Sequence, residues 1–361
     1  MLLKKSVHGS CPLETEPAYV ELDNVSKSFA TVKAVSRLTI GIGKGEFFTL
    51  LGPSGCGKTT TLRLIAGLDR PDEGTITVGG EPMAAQNTWI QPENRAIGVV
   101  FQDYALFPHM TVSQNVAFGL KGCRREKVRE RVDEMLDLTG LTGLGGRYPH
   151  ELSGGQRQRV ALARSLAPSP RVILLDEPFS NLDADLREEL RGETKRILKG
   201  QGATTILVTH DQEEAFSLSD RVGVLNKGAL EQDGTPAEIY HHPRSRFVAD
   251  FVGKADFIDG VVEDNIVKSV FGPFPLNDKT NHKSGGVELM VRPDDVTFSL
   301  DSTGEATIIE ARFCGASILY SLQLGNGKTI HAIRPSTEMT PVGTRVCVKL
   351  DTRHIVIFSK Q

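Results

Sequence analysis

Long apolar runs are missing from this 361-residue chain. None approaches the ~18–20 consecutive apolar residues that a membrane-spanning helix needs, so the chain is not expected to cross a bilayer by itself. Charge of one sign is missing too: 42 Lys and Arg against 45 Asp and Glu leave a formal net charge of −3. A nucleic-acid binder usually shows a basic excess, so no nucleic-acid partner is expected. Cysteine is sparse and odd in number. Cys11, Cys56, Cys123, Cys314 and Cys347 are scattered, which fits neither a disulfide framework nor a zinc site and suits a reducing compartment. The opening MLLKKSVHGSC has two lysines but no apolar stretch after them, so no secretory signal is expected. What is present, 39% hydrophobic and 24% charged residues, fits a globular protein with a sizeable core. The length allows two domains or three.

Residues 1–18 read as a polar tail with Pro12 and Pro17. From Tyr19 the alternating YVELDNV and LTIGIG predict strands, and TITVGG and AIGVVF predict two more. Residues 103–158 differ in character: VSQNVAFGL and EKVRERVDEMLDLTGL place apolar residues at helical spacing, among them Val128, Val132, Met135 and Leu136. The basic run at 124–131 is expected to form the solvated face of the second of these helices. Strand-like VILLD and TILVT then flank the helical LREELRGETKRILKG. This alternation of strand and helix argues for a mainly parallel sheet covered by helices, with a helical insertion. After the His241-His242-Pro243 turn, short alternating runs (FIDGVV, VELMV, TIIEARF, ILYSLQL, TIHAI, RVCVKL, IVIF) predict a small β-barrel or sandwich.

The chemistry concentrates first in FFTLLGPSGCGKTTT, residues 47–61. An apolar strand, a glycine-rich turn and the start of a helix fit the G-x-x-x-x-G-K-[ST] phosphate-binding pattern at Gly52, Gly57, Lys58 and Thr59. Backbone N–H groups of Gly52, Pro53, Ser54, Gly55, Cys56, Gly57, Lys58, Thr59 and Thr60, where an N–H exists, can turn inward as an anion nest at a helix N-terminus. Lys58 would reach the β- and γ-phosphates, and the Thr59 hydroxyl would ligate Mg²⁺. Cys56 reads as a small side chain in this loop whose thiolate Lys58 and the helix end could favour. A second signal is VILLDEP, residues 172–178, a buried strand presenting Asp176 at its C-terminal edge. Asp176 suits orienting Mg²⁺ and Glu177 suits polarising an attacking water.

Between these two signals stands LSGGQ, residues 152–156, followed by the helical RQRVALARSLA. A glycine pair at a helix start is again a phosphate-cradling arrangement, and it cannot serve the same nucleotide face unless the chain dimerises. Over roughly residues 19–250 the sequence resembles the ATP-binding subunits of ABC transporters, with the motifs in order. The resemblance implies an α/β P-loop NTPase (RecA-like) core at 19–250, a helical subdomain at about 103–158, and ATP with Mg²⁺ as cofactors. It implies that Phe29 stacks on adenine, where the family usually has Tyr. Gln102 in VVFQDY would touch Mg²⁺ and the water and link hydrolysis to the membrane partner. Ser153, Gly154, Gly155 and Gln156 would contact the γ-phosphate held by a second copy, and Asp183 in SNLD would lie in the dimer contact. Asn181 stands where the family usually has Ala. His210 would hydrogen-bond the γ-phosphate. Tyr104, Leu106, Phe107 and Met110 would form an apolar surface for a cytoplasmic helix of a permease.

Residues 251–361 resemble the β-rich, OB-like regulatory domain of importer ATPases, with VRPDDV at 291–296 matching a recurring Arg-Pro-acid segment. His282, Cys314, His331 and His354 have no informative spacing, so no regulatory metal is assigned. The resemblance therefore implies a peripheral subunit at the cytoplasmic face of the inner membrane. It would pair with a second copy, dock on integral permease subunits and depend indirectly on a solute-binding protein. The stretches WIQPENRAIGVVFQDYALFPHMTV and GRYPHELSGGQRQRVALARSLAPSPRVILLDEPFSNLDADLR look most like the ferric-iron group, with polyamine, sulfate and sugar importers sharing much of them. A non-transport ABC ATPase is the alternative class, but those usually carry tandem cassettes or long coiled coils, and neither is visible.

Overall fold

The computed structural model describes residues 18–264, 266–276, 285–351 and 355–360. The expected tail up to residue 17, with Cys11, lies outside the described residues, as do His282 and His354. Two compact units emerge: one comprises the residues up to 210 with 217–220 and 225–230, the other 211–216, 221–224 and 231 onward.

In the first unit the organising layer is a parallel sheet. Its strands Phe47–Leu51, Thr204–Thr209, Val172–Asp176 and Ile97–Val100 are neighbours in that order. Phe47–Leu51 and Thr204–Thr209 are buried at every position, and only Asp176 of Val172–Asp176 is not. Such unbroken burial is what a parallel strand covered on both faces requires, and it explains why these segments read as apolar runs without alternation. One apolar layer on this sheet contains Phe48, Leu50, Leu62, Ile65, Leu174 and Ile206; the other contains Phe47, Leu136, Val160, Leu162, Ile173 and Leu207. A separate antiparallel sheet, Val32–Ile42, Val20–Phe29, Glu73–Val78, Glu81–Ala85, Thr88–Trp89, supplies further residues to the first layer.

The insertion contributes the helices Val112–Ala117 and Arg125–Leu138. The second buries Val132, Met135 and Leu136, as its spacing requires. Its basic run is not wholly a solvated face. Arg131 departs from that expectation, because its guanidinium donates to the carbonyls of Leu166 and Ala167 at 3.1 and 2.9 Å and satisfies the end of the helix Gly154–Leu166. A fully buried Arg95 does the same for the helix Lys58–Ala66. It donates to the carbonyls of Leu64 and Ile65 at 2.9 and 2.8 Å and lies 4.7 Å from the Trp89 ring centre. Burial lowers its pKa to about 10.

The second unit is dominated by two antiparallel five-stranded sheets, so the alternating runs form an all-β domain. In it Arg292, of the VRPDDV segment, is buried to 1% exposure. Its guanidinium donates to the carbonyls of Ala249, Gly253, Lys254 and Tyr240 at 2.8–3.1 Å and stacks on the Tyr240 ring at 4.4 Å. It thereby fastens the helices Pro236–His241 and Arg246–Phe251 to the strand that ends at Val291. Arg292→Leu leaves four carbonyls without their donor, and is expected to cost about 2–4 kcal/mol. Urea denaturation of the full chain checks this, and a loss below about 1 kcal/mol would show that the cluster does not hold these helices.

Candidate functional site

Strand register assembles the site. Leu51 pairs with Thr209, Val208 with Asp176, and Leu175 with Val100. Four parallel strands therefore end together, and the residues just after them, from Gly52, Glu177, His210 and Phe101 onward, share the C-terminal edge where ligands of open α/β sheets gather.

The loop after Phe47–Leu51 turns through Gly57 at φ 106°, and a Cβ there would lie 2.2 Å from the Ala34 carbonyl oxygen, so only glycine fits. Lys58 is buried and donates to the carbonyls of Gly52 and Pro53 at 2.7 and 3.0 Å. Ser54, Gly55 and Thr59 are exposed along the outer lip, while Pro53, Gly57 and Thr60 are half-buried. The Thr59 hydroxyl donates to Asp176 Oδ1 at 3.2 Å, joining the two proposed Mg²⁺ ligands, one from the first turn of the helix Lys58–Ala66 and one from the end of the strand Val172–Asp176. Burial is the main influence on the Asp176 carboxyl and raises its pKa. The Thr59 hydrogen bond opposes this and the nearby Glu177 charge adds to it. Glu177 adopts φ 43°, a left-handed conformation that costs a non-glycine residue about 1–2 kcal/mol. Its N–H donates to Val208 O at 2.9 Å, and its carbonyl accepts from the N–H and hydroxyl of Ser180 at 3.2 and 3.0 Å, which holds it there. The result is that Glu177 Oε1 lies 3.1 Å from His210 Nδ1.

Cys56 differs from expectation. Its side chain is 3% exposed, and burial raises the thiol pKa more than Lys58 lowers it, so the thiolate is not favoured. Tyr104 differs as well: it is buried in the core rather than part of an apolar surface, whereas Leu106, Phe107 and Met110 are half-buried. Phe29 stands at the end of Val20–Phe29, 47% exposed, with the Lys27 ammonium 5.4 Å from its ring centre. Gln102 is exposed, and its backbone carbonyl accepts from Asn181 Nδ2 at 2.8 Å.

The LSGGQ residues have a local logic that the sequence reading missed. Ser153 and Gln156 form a reciprocal capping box at the start of Gly154–Leu166, the pattern [ST]-x-x-[EQ] that was legible in the motif itself. Gly154 is half-buried, and Gly155 is buried where a Cβ would come within 3.0 Å of Leu190 Cδ1. Asp183 likewise caps its own helix, Ala184–Gly200, by accepting from Leu186 N at 3.0 Å. Also missed were Asn115, whose amide bonds Phe107, Met110 and Thr111, and Arg164, which donates to the carbonyls of Tyr104 and Ala105 at 2.8 and 2.6 Å.

A phosphate-type loop, an acidic strand end and a terminal histidine on one parallel edge define a P-loop NTPase cassette, and the comparisons with known proteins agree. The ABC transporter family model matches residues 35–180, and a TOBE domain model matches 289–358. The dimeric post-hydrolysis structure of the ATP-binding cassette MJ0796 bound to ADP and Pi is similar at TM-score 0.53 and 33% identity, over 60% of this chain and 98% of that one. The cbiO1 structure from Clostridium perfringens, part of the cbiONQ complex, is similar at TM-score 0.58 and 30% identity, over 66% and 93%. Among curated relatives, the spermidine/putrescine import ATP-binding protein PotA of Nostoc sp. is 44% identical over 89% of this chain and 88% of its own length. The Fe(3+) ions import ATP-binding protein FbpC of Brucella abortus is 40% identical over 95% and 99%. The chain belongs to the ATP-binding import subunits of ABC transporters, the type with a C-terminal β-rich regulatory domain.

Protonation chemistry sets two expected outcomes. A carboxyl whose folded pKa lies above its unfolded value stabilises the fold below the unfolded value, and that contribution is lost as pH rises through the folded one. Asp176→Asn is therefore expected to raise Tm at pH 8 by about 2 °C while having a smaller effect at pH 4, and to lose activity. Equal shifts at both pH values would contradict the burial argument. Cys56 is expected to react with iodoacetamide at least about tenfold more slowly than the exposed Cys123 and Cys314. Peptide mapping after timed labelling reads this, and comparable rates would mean that the loop opens freely.

Proposed function

We propose that this chain is the ATP-hydrolysing subunit of a solute importer. Two copies would enclose two ATPs, and integral permease subunits would hold the pair at the cytoplasmic face of the inner membrane. A solute-binding protein would deliver cargo to the permease. In this reading the cassette spans 19–250, with its helical subdomain at about 103–158, and the regulatory domain spans 251–361. The observation that carries the reading is the Glu177–His210 pair at 3.1 Å on the same sheet edge as the Lys58 loop.

Phosphoryl transfer to water asks little covalent work of a protein, so positioning and charge neutralisation carry the rate. The loop from Gly52 to Thr60 cradles phosphate oxygens, with Lys58 held toward the loop interior. Phe29 offers a ring face for adenine. Thr59 and Asp176, already bonded to each other, are oxygen ligands of the kind Mg²⁺ takes. Gln102 would complete that set. The bound ion would supply neutralisation of the phosphate charge. Glu177 takes a proton from the attacking water, and His210 orients it. From the second copy, Ser153, Gly154, Gly155 and Gln156 present a helix N-terminus whose first N–H groups lack intrahelical acceptors, a natural anion contact. Asp183 lies in the loop that meets the partner. Because each site needs both copies, hydrolysis is coupled to closure and reopening.

The permease and binding protein choose the cargo. The motif stretches point to ferric iron, and a polyamine is the second reading because PotA relatives at 41–44% identity stand beside FbpC relatives at 40–41%. In a deletion strain, loss of labelled ferric-iron uptake with spermidine uptake intact supports iron; the reverse supports polyamine.

Glu177→Gln removes the base while keeping its shape. Turnover is expected to fall by about 100-fold or more, and an ATP-bound dimer to accumulate. Phosphate release and size-exclusion chromatography with Mg-ATP read both. Turnover near that of the native chain would overturn the assignment of Glu177.

A further inference from the structure

Asn181 has no role in the mechanism above, yet its placement is specific. The loop that carries it is fixed relative to Glu177. Ser180 bonds the Glu177 carbonyl twice, Leu182 N donates to Phe179 O at 3.2 Å, and the Phe179 side chain is fully buried. From this loop Asn181 Nδ2 reaches the backbone carbonyl of Gln102 at 2.8 Å, across a separation of 79 residues. A carbonyl acceptor defines the amide orientation, because only the NH₂ end can donate.

The backbone on the C-terminal side of Gln102 is held from elsewhere. Tyr104 and Ala105 adopt φ 64° and 44°, left-handed conformations for two consecutive non-glycine residues. Their carbonyls are bound by Arg164, on the helix headed by Ser153, and those of Phe107, Met110 and Thr111 by Asn115, at 3.0–3.2 Å. Gln102 thus stands between two anchorages: the helical insertion fixes the chain downstream of it, and a single side-chain hydrogen bond ties it to the loop of Glu177 and Asp183.

We infer that Asn181 is a positioning residue, which ties Gln102 to the loop bearing Glu177 so that the two groups keep one alignment. The inference rests on the roles given to Gln102 and Glu177 under Proposed function. The bond acts on turnover rather than on ATP affinity, because the phosphate loop and Phe29 do not depend on it. Asn181 is exposed, so its replacement does not hollow the core.

The test uses the full chain with Mg-ATP and the variants Asn181→Ala and Asn181→Asp, the second keeping the shape but losing the donor. For both, kcat is expected to fall on the order of fivefold, the scale set by losing the one hydrogen bond that positions Gln102, with KM little changed. Tm should stay within about 2 °C of the native chain. Since Asn181 acts through Gln102, Asn181→Ala should cause no further loss in a Gln102→Ala background. An impaired Gln102→Ala combined with an unchanged kcat in both Asn181 variants overturns this inference alone. So does a loss that multiplies with that of Gln102→Ala, or a lowered Tm without a change in kcat. If Gln102→Ala itself turns over like the native chain, the reading of Gln102 fails, and the inference fails with it.

Discussion

The parallel register of four strands is the constraint on which the rest depends. Leu51, Thr209, Asp176 and Val100 end their strands side by side; three of these strands are apolar segments buried at nearly every position, and Ile97–Val100 at the edge is half-buried except at Val100. Slipping any of them by one residue would move Lys58, Glu177 or His210 along the edge by about 3.3 Å, more than the latitude of a hydrogen bond. The hydrophobic effect supplies the alignment, and the chemistry is attached at its rim. Glu177 shows the cost of the last adjustment, since its left-handed backbone persists only under the hydrogen bonds from Ser180 and to Val208.

A second theme is the use of arginine to satisfy backbone carbonyls. Arg95 and Arg131 each serve the end of a helix, Arg164 serves a left-handed loop, and Arg292 serves the junction of two helices with a strand. The planar guanidinium presents several donors at fixed angles and stays charged even where burial lowers its pKa, which makes it a stiff connector between segments distant in sequence. Lysine could carry the charge but not the geometry. Functionally, the loop after Gln102 is thereby attached to the same helix that opens with the LSGGQ glycines.

Much of this was legible in advance. The phosphate loop announces itself because strand, glycine turn and Lys-Thr occur within one local segment, and the strands VILLD and TILVT because their apolar runs have no helical period. The C-terminal strands were legible through their alternation. Less legible were interactions whose partners lie far apart. Cys56 looked activated beside Lys58, but the fold buries it, and desolvation outweighs the neighbouring charge. Tyr104 looked like surface because it neighbours Phe107 and Met110, but a left-handed turn sends it into the core. Arg131 belonged to a basic run that seemed solvated, yet it faces the carbonyl end of another helix.

By itself the sequence determined the local chemistry: which loop can cradle a phosphate, which carboxylates stand at a strand end, and which helices begin with capping residues. Those properties depend on neighbours along the chain, within reach of one turn of backbone. Tertiary structure alone decided that Glu177 meets His210, that Thr59 meets Asp176, and that Asn181 meets Gln102. Each of these contacts joins segments brought together by sheet register and buried apolar area, and a hydrogen bond forms only when that packing delivers both groups to within about 3 Å.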